Sequence, residues 1–346
     1  MDLQILWFIL IGVLLTGFFF LEGFDYGVGI LLPFLGKNDT ERRMIMNSIG
    51  PFWDGNEVWL IAAGGVFVFA FPRAYAVALS GLYLPLTMVL WLLVFRGIAI
   101  ELRAQLEHAL WRAGWDGMFA LSTTALAFVA GVALGNVVGG VPIDESGWFQ
   151  LDLFVLRRGQ TGALNAYTGL VGLLAVAVLA AHGASYLVWK TAGDVRARSV
   201  TAARRAWAGS VLLTAAVTGA TILVRPSMFV ALAHRPWVLP LPAVAAASPV
   251  MAFKALRHGW ELRAFLASSA FVAALLLATA GALYPVLLPS TLGPSYDLDA
   301  HAAATSEHGL ALGIAWWLPA LALAVLYFVN LFRAARGKVT LGEDPH

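Results

Sequence analysis

The chain has 346 residues, of which 60% are hydrophobic and 12% charged. A soluble domain carries roughly 25% charged residues, so this chain lacks the charge to coat a water-facing surface and reads as an integral membrane protein. A net charge of +2 with no basic stripe argues against nucleic acid as a partner, and the absence of cysteine removes disulfides, thiolate metal sites and cysteine nucleophiles.

A run of about 20 apolar residues spans a bilayer as a helix. Nine such runs follow one another, at 5–33, 52–71, 74–95, 118–138, 163–188, 206–224, 237–253, 264–288 and 310–332. The first opens with Asp2 and no Lys or Arg, is long, and is followed by no small-residue cleavage pattern, so it reads as a span and not a signal peptide. The seventh holds Pro240, Pro242 and Pro249; a membrane helix tolerates such breaks only where neighbours satisfy the freed backbone groups. Loops are short, the longest at about 139–162 and 289–309. No strong repeat or soluble module interrupts the series. The expectation is an all-α polytopic bundle forming a single integral membrane domain over 1–346.

Basic residues give the orientation. Lys37, Arg42 and Arg43 follow the first run, Arg96, Arg103 and Arg112 the third, Lys190, Arg196, Arg198, Arg204 and Arg205 the fifth, Lys254, Arg257 and Arg263 the seventh, and Arg333, Arg336 and Lys338 the ninth. These are seventeen of the 22 Lys and Arg; the other side keeps only Arg73, Arg157, Arg158, Arg225 and Arg235. Lys and Arg favour the cytoplasmic side, which puts the N-terminus outside and the C-terminus in the cytoplasm.

A carboxylate at membrane depth is costly and normally faces the bundle interior with a partner or water. Four acids fall within the nine runs, all in the first two: Glu22, Asp25, Asp54 and Glu57. Each pair is three residues apart and shares a helix face. With Arg96, Glu101 and Asp116 they occupy the cytoplasmic half, where Arg96 is a natural counter-ion. Such a group suits proton conduction, and equally suits an ion-pair network that fixes helix packing; for Glu101 and Asp116 the structural role is favoured.

The motifs then resemble a known family. Residues 21–30 read LEGFDYGVGI, 34–65 read FLGKNDTERRMIMNSIGPFWDGNEVWLIAAGG, 95–103 read FRGIAIELR with Trp115-Asp116 beyond, 135–142 read GNVVGGVP, and 182–191 read HGASYLVWKT. This is similar to subunit II of cytochrome bd-type ubiquinol oxidases, densely over 5–190 and more thinly afterwards. The resemblance implies a bacterial cytoplasmic-membrane oxidase that oxidises quinol and reduces dioxygen to water. It implies a haem-bearing subunit I as partner, holding three haems (two b-type, one d-type), with small single-helix subunits joining in some members. It implies no haem in this chain, a quinone held here in some members, and ubiquinone as a possible one. By resemblance Asp54 matches the acid at the start of a cytoplasmic proton path, Asp25, Arg96 and Asp116 match other polar positions of that path, and Trp59 lies by the proposed oxygen route. The pattern departs at Gly139, where many relatives have Gln, and across 293–308.

Histidine fits a haem-free reading. Only His182 lies within a run, and a lone helical His is more often a hydrogen-bonded packing residue than an axial ligand. Gly27, Gly29, Gly64 and Gly65 sit in apolar helices without a preceding strand, so they read as close-approach sites and not a nucleotide loop. The rival function is a proton-coupled secondary transporter. Transporters commonly show interrupted helices and polar sites in matching halves, whereas the acids here have no counterpart in the second half. A purely structural membrane partner is the third possibility.

Overall fold

A computed structural model describes residues 2–154 and 162–339; Arg157, Arg158 and His346 lie outside the described residues. In chain order the helices are α1 Leu3–Leu35, α2 Asp39–Ile49, α3 Trp53–Ala70, α4 Pro72–Gly81, α5 Tyr83–Arg103, α6 Ala109–Gly139, α7 Ala166–Lys190, α8 Gly193–Val224, α9 Ser227–Ala233, α10 Pro240–His258, α11 Glu261–Leu283, α12 Ala300–Ala303 and α13 Glu307–Ala334. The expected all-α membrane architecture is present.

Seven of these, α1, α5, α6, α7, α8, α11 and α13, are long and apolar enough to cross a bilayer, and α3 with α4 makes an eighth if that bent pair counts as one span. Nine is therefore an approximate count. Three of the sequence runs differ in the structure for identifiable reasons. Run 74–95 is divided: Pro72 starts α4, which turns 119° away from α3, and the chain breaks again at Leu82 before α5. The proline-bearing run 237–253 becomes α10, which is 19 residues long but less apolar than the spans. Run 264–288 stops at Leu283, and Val286–Leu288 instead forms a short antiparallel pair with Leu298–Asp299.

The bundle is organised around α7, which packs against α1, α6, α8 and α11. Small residues permit the closest crossing. A Cβ on Gly27 would lie 2.0 Å from the Leu179 carbonyl oxygen and 2.7 Å from Gly183 Cα, so only glycine lets α1 and α7 meet there. Beside that crossing Phe24 stacks on Tyr186 at 4.2 Å, with Phe52 and Phe265 edge-on to Phe24. At the periphery α13 buries only Leu310. Its apolar side chains, with Val58 and Ile61 of α3 and Leu90 and Trp91 of α5, are exposed on the isolated chain.

Candidate functional site

The end of the bundle where α1, α5, α7 and α13 finish carries most of the basic residues and is called the basic end here. Near it, α1 presents Glu22, Asp25 and Tyr26 on one face while its glycine face is taken by α7. Across from that face stand Asn56 and Glu57 of α3 and Arg96 of α5. Glu22, Asp25, Asn56 and Arg96 are all fully buried.

Arg96 is the hub. It ion-pairs with Glu22, lies 3.5 Å from Glu57 and 3.9 Å from Asp25, and is flanked by the rings of Tyr26 at 5.2 Å and Trp53 at 5.8 Å. The flat guanidinium suits this place: it offers donors to several carboxylates in its plane and a face to each ring. Asn56 donates to Asp25 at 2.8 Å and to the Leu21 carbonyl at 3.2 Å, tying α3 to α1. Glu22 Oε2, Asp25 Oδ1, Asn56 Oδ1 and Arg96 Nε have no hydrogen-bond partner among the described residues. Exposure rises toward the surface: the Glu57 side chain is 25% exposed and Asp54, in the first turn of α3, is exposed.

The predicted residues thus divide. Glu22, Asp25, Glu57 and Arg96 come together, with Asp54 at their outer edge. Asp116 joins a second network: it binds Arg103 at 2.5 Å and Arg42 at 3.0 Å, while Asp39 binds Arg103 at 2.9 Å and Arg112 at 2.6 Å. This knot fastens α2, α5 and α6. Glu101 is exposed and forms no ion pair among the described residues. Trp59 lies over Gly17 of α1, whose Cβ would fall 2.7 Å from the indole, and its ring is 5.7 Å from Phe328 of α13.

Sequence reasoning missed Asn56, because an amide escapes a search for charge, although it lies inside the WDGN motif. It also treated Arg103 and Arg42 as orientation signals only. Outside the membrane segments, Arg198 binds Glu41 at 2.6 Å and holds its carboxyl below the usual value.

No group of three or more His, Asp or Glu among the described residues is arranged to hold a metal. Both ring nitrogens of His182 are engaged, Nε2 donating to the Phe20 carbonyl at 2.9 Å and Nδ1 meeting Ser268 Oγ at 2.7 Å. At the opposite end of α1 an apolar cavity of about 470 Å³ opens between Phe8, Gly12, Trp237, Leu277 and Tyr284.

The sequence pattern of the family described as cytochrome bd terminal oxidase subunit II matches residues 3–335. The chain belongs to that family. The "Cytochrome bd-I ubiquinol oxidase subunit 2" of Escherichia coli K12 is 33% identical, with 98% of this chain and 95% of that protein covered. The "Cytochrome bd ubiquinol oxidase subunit 2" of Bacillus subtilis is also 33% identical, covering 95% of this chain and 93% of that protein. Among solved structures, a chain of the bd oxidase from Geobacillus thermodenitrificans is similar in fold, with a TM-score of 0.75 at 20% identity over 96% of this chain and 98% of that one. The chain buries Glu22 and Asp25 between α1, α3 and α5, leaves Asp54 and part of Glu57 exposed, and keeps α13 at the edge.

Proposed function

We propose that this chain is the haem-free subunit II of a bacterial quinol:dioxygen oxidoreductase, that it assembles with a haem-bearing subunit I, and that its carboxylates deliver protons toward that partner. The complex would oxidise quinol, ubiquinol among the candidates, and reduce dioxygen to water; the chain is not catalytic alone. The basic end faces the cytoplasm in this reading, following the asymmetry of Lys and Arg.

The observation that carries the proton reading is the gradient of burial through the acids. Asp54 is exposed, Glu57 partly so, and Asp25 and Glu22 are fully enclosed beside a single arginine. Three carboxylates against one guanidinium leave room for protons to be taken and passed. Buried polar atoms are nearly always satisfied by protein or ordered water, so the acceptors that this chain leaves unpaired support hydration of the cluster. Asp116 lies in the separate Arg42–Arg103 network as an anchor of the surrounding helices, and Glu101 is exposed.

The exposed apolar side chains of α3, α5 and α13 support a partner-covered face, with Trp59 beside it as a wall of an oxygen route. The apolar cavity suits a prenyl chain, as expected of members that hold a quinone. His182, with both nitrogens committed, is unsuited to ligating haem iron. The asymmetric placement of the acids disfavours the transporter reading. The test is Asp54→Asn in the purified two-subunit complex. Slower oxygen consumption with unchanged haem content is expected; normal turnover would remove Asp54 from the path.

A further inference from the structure

The last helix is held at its two ends. At the first, Trp7 Nε1 donates to the Leu310 carbonyl at 3.2 Å. At the second the holder is Lys190, the final residue of α7, which is only 3% exposed. A lysine so buried needs partners. Its Nζ donates to the carbonyls of Ala335 at 2.6 Å and Gly337 at 3.2 Å. These are carbonyls at and beyond the end of α13, where a helix leaves acceptors unpaired and its dipole favours a cation. Trp189 at 4.8 Å and Phe52 at 5.7 Å flank the ammonium.

The contact is reciprocal. Val339 N–H donates to the Lys190 carbonyl at 2.8 Å, and Lys338 Nζ donates to the Thr191 carbonyl at 3.0 Å and to Glu261 at 2.9 Å. The segment after α13 is thereby laid across the end of α7 and pinned on both sides.

The last turns of α13 itself meet the start of α3, which carries Asp54 and Glu57. Phe52, fully buried just before α3, has its ring 4.7 Å from Phe332. Gly55 faces Tyr327, whose ring would lie 3.5 Å from a Cβ there. Asp54 stands between these two positions and has no ion pair of its own among the described residues. Its place is set by neighbours that rest on α13.

We propose that Lys190 is a positioning residue: it clamps the end of α13 and residues 336–339 onto the end of α7, which keeps Tyr327 and Phe332 of α13 against the start of α3 and so holds the turn carrying Asp54. The proposal rests on the proton-delivery reading of Asp54 given above.

The test uses the purified oxidase complex carrying Lys190→Met, Lys190→Arg, Asp54→Asn, and Lys190→Met with Asp54→Asn. Three quantities are read: haem absorbance, tryptic cleavage at Arg336 and Lys338, and oxygen consumption across pH. Lys190→Met should keep its haem spectrum. Cleavage should speed up about tenfold or more, as expected when a buried charged donor is lost and local opening becomes more frequent. Turnover should fall most at high pH, where proton supply limits, and the double variant should be no slower than Asp54→Asn. Lys190→Arg, which keeps the donors and the charge, should restore protection and turnover together.

Unchanged cleavage in Lys190→Met would overturn the clamp. Rapid cleavage with native turnover at every pH would overturn the positioning role, as would a double variant slowed by the product of the two single effects. Native turnover in Asp54→Asn beside a slowed Lys190→Met would show the delivery reading failing first, and this proposal with it. If Lys190→Met yields no complex, truncation after Ala335 removes Gly337, Lys338 and Val339 from the clamp; the cleavage reading goes with the deleted sites, and the same haem and turnover expectations decide the positioning role.

Discussion

Removing Arg96 is the sharpest perturbation the cluster allows. Arg96→Met keeps much of the side-chain volume and deletes the cation that Glu22 and Asp25 share, both of them fully buried. No other Lys or Arg pairs with either acid among the described residues. Breaking a buried pair by removing one partner costs about 3–5 kcal/mol, because the remaining charge stays desolvated. That corresponds to a factor of roughly 10²–10⁴ in an equilibrium constant. The assay is the half-life of haem absorbance in the purified complex at a fixed elevated temperature, together with the yield of complex. Arg96→Met should shorten that half-life severely or prevent assembly. Adding Glu22→Gln and Asp25→Asn removes the stranded charges, and the triple variant should outlast the single one. A native half-life for Arg96→Met would refute the ion-pair argument, and a triple variant no better than the single one would refute its electrostatic cause.

Two further predictions concern the frame around the cluster. Gly27→Ala places a methyl group 2.0 Å from a backbone carbonyl that has no rotamer to give, and overpacking of this kind costs about 1–3 kcal/mol. Gly219→Ala of α8 is its control, since nothing lies within 4 Å of a Cβ there; the yield of haem-bearing complex should fall for the first and hold for the second, and equal yields would count against the α1–α7 crossing. For Glu41, the Arg198 bond lowers the folded-state pKa beneath its ordinary 4.5, so the pair's contribution is complete above that ordinary value and fades as pH falls through the folded one. Glu41→Gln should shorten the thermal half-life slightly at neutral pH, since exposed pairs contribute about 0–1 kcal/mol; a gap that persists undiminished on acidification below the carboxylate range would contradict the assignment.

Much of this was legible from the sequence because a membrane imposes simple rules. Apolar runs located the long helices, and two acid pairs at three-residue spacing located the face of α1 that meets α3 and α5. The run at 74–95 was misread because apolarity marks membrane residence, not continuity of a helix. The break at Leu82 divides it between α4 and α5, and hydropathy does not register that break. Run 264–288 was overlong for a similar reason: Val286–Leu288 is apolar but its backbone pairs with Leu298–Asp299. The pairing of Asp116 with Arg42 was not legible, since α2 brings Arg42 to it from 74 positions away, and Asp39 of α2 enters the same network only through Arg103 and Arg112.

Sequence position already set Asp25, inside an apolar run, apart from Asp116, outside one and favoured there as structural, but it gave no chemical reason for the difference. Their hydrogen bonds separate them. Asp116 uses both oxygens, one on Arg103 and the other on Arg42 and Arg103, and Asp39 likewise spends one oxygen on Arg103 and one on Arg112. That network is closed: each acceptor already has a cation, and adding a proton to either acid would break a charge-assisted bond. The Arg96 cluster is open. Glu22 Oε2 and Asp25 Oδ1 are buried without a donor among the described residues, and three carboxylates share one guanidinium. A proton arriving there displaces no existing bond. A closed network stabilises helices and an open one can change its protonation at small structural cost, so the proton-carrying role we propose rests with Asp25 and Glu22, while Asp116 serves the architecture that holds them.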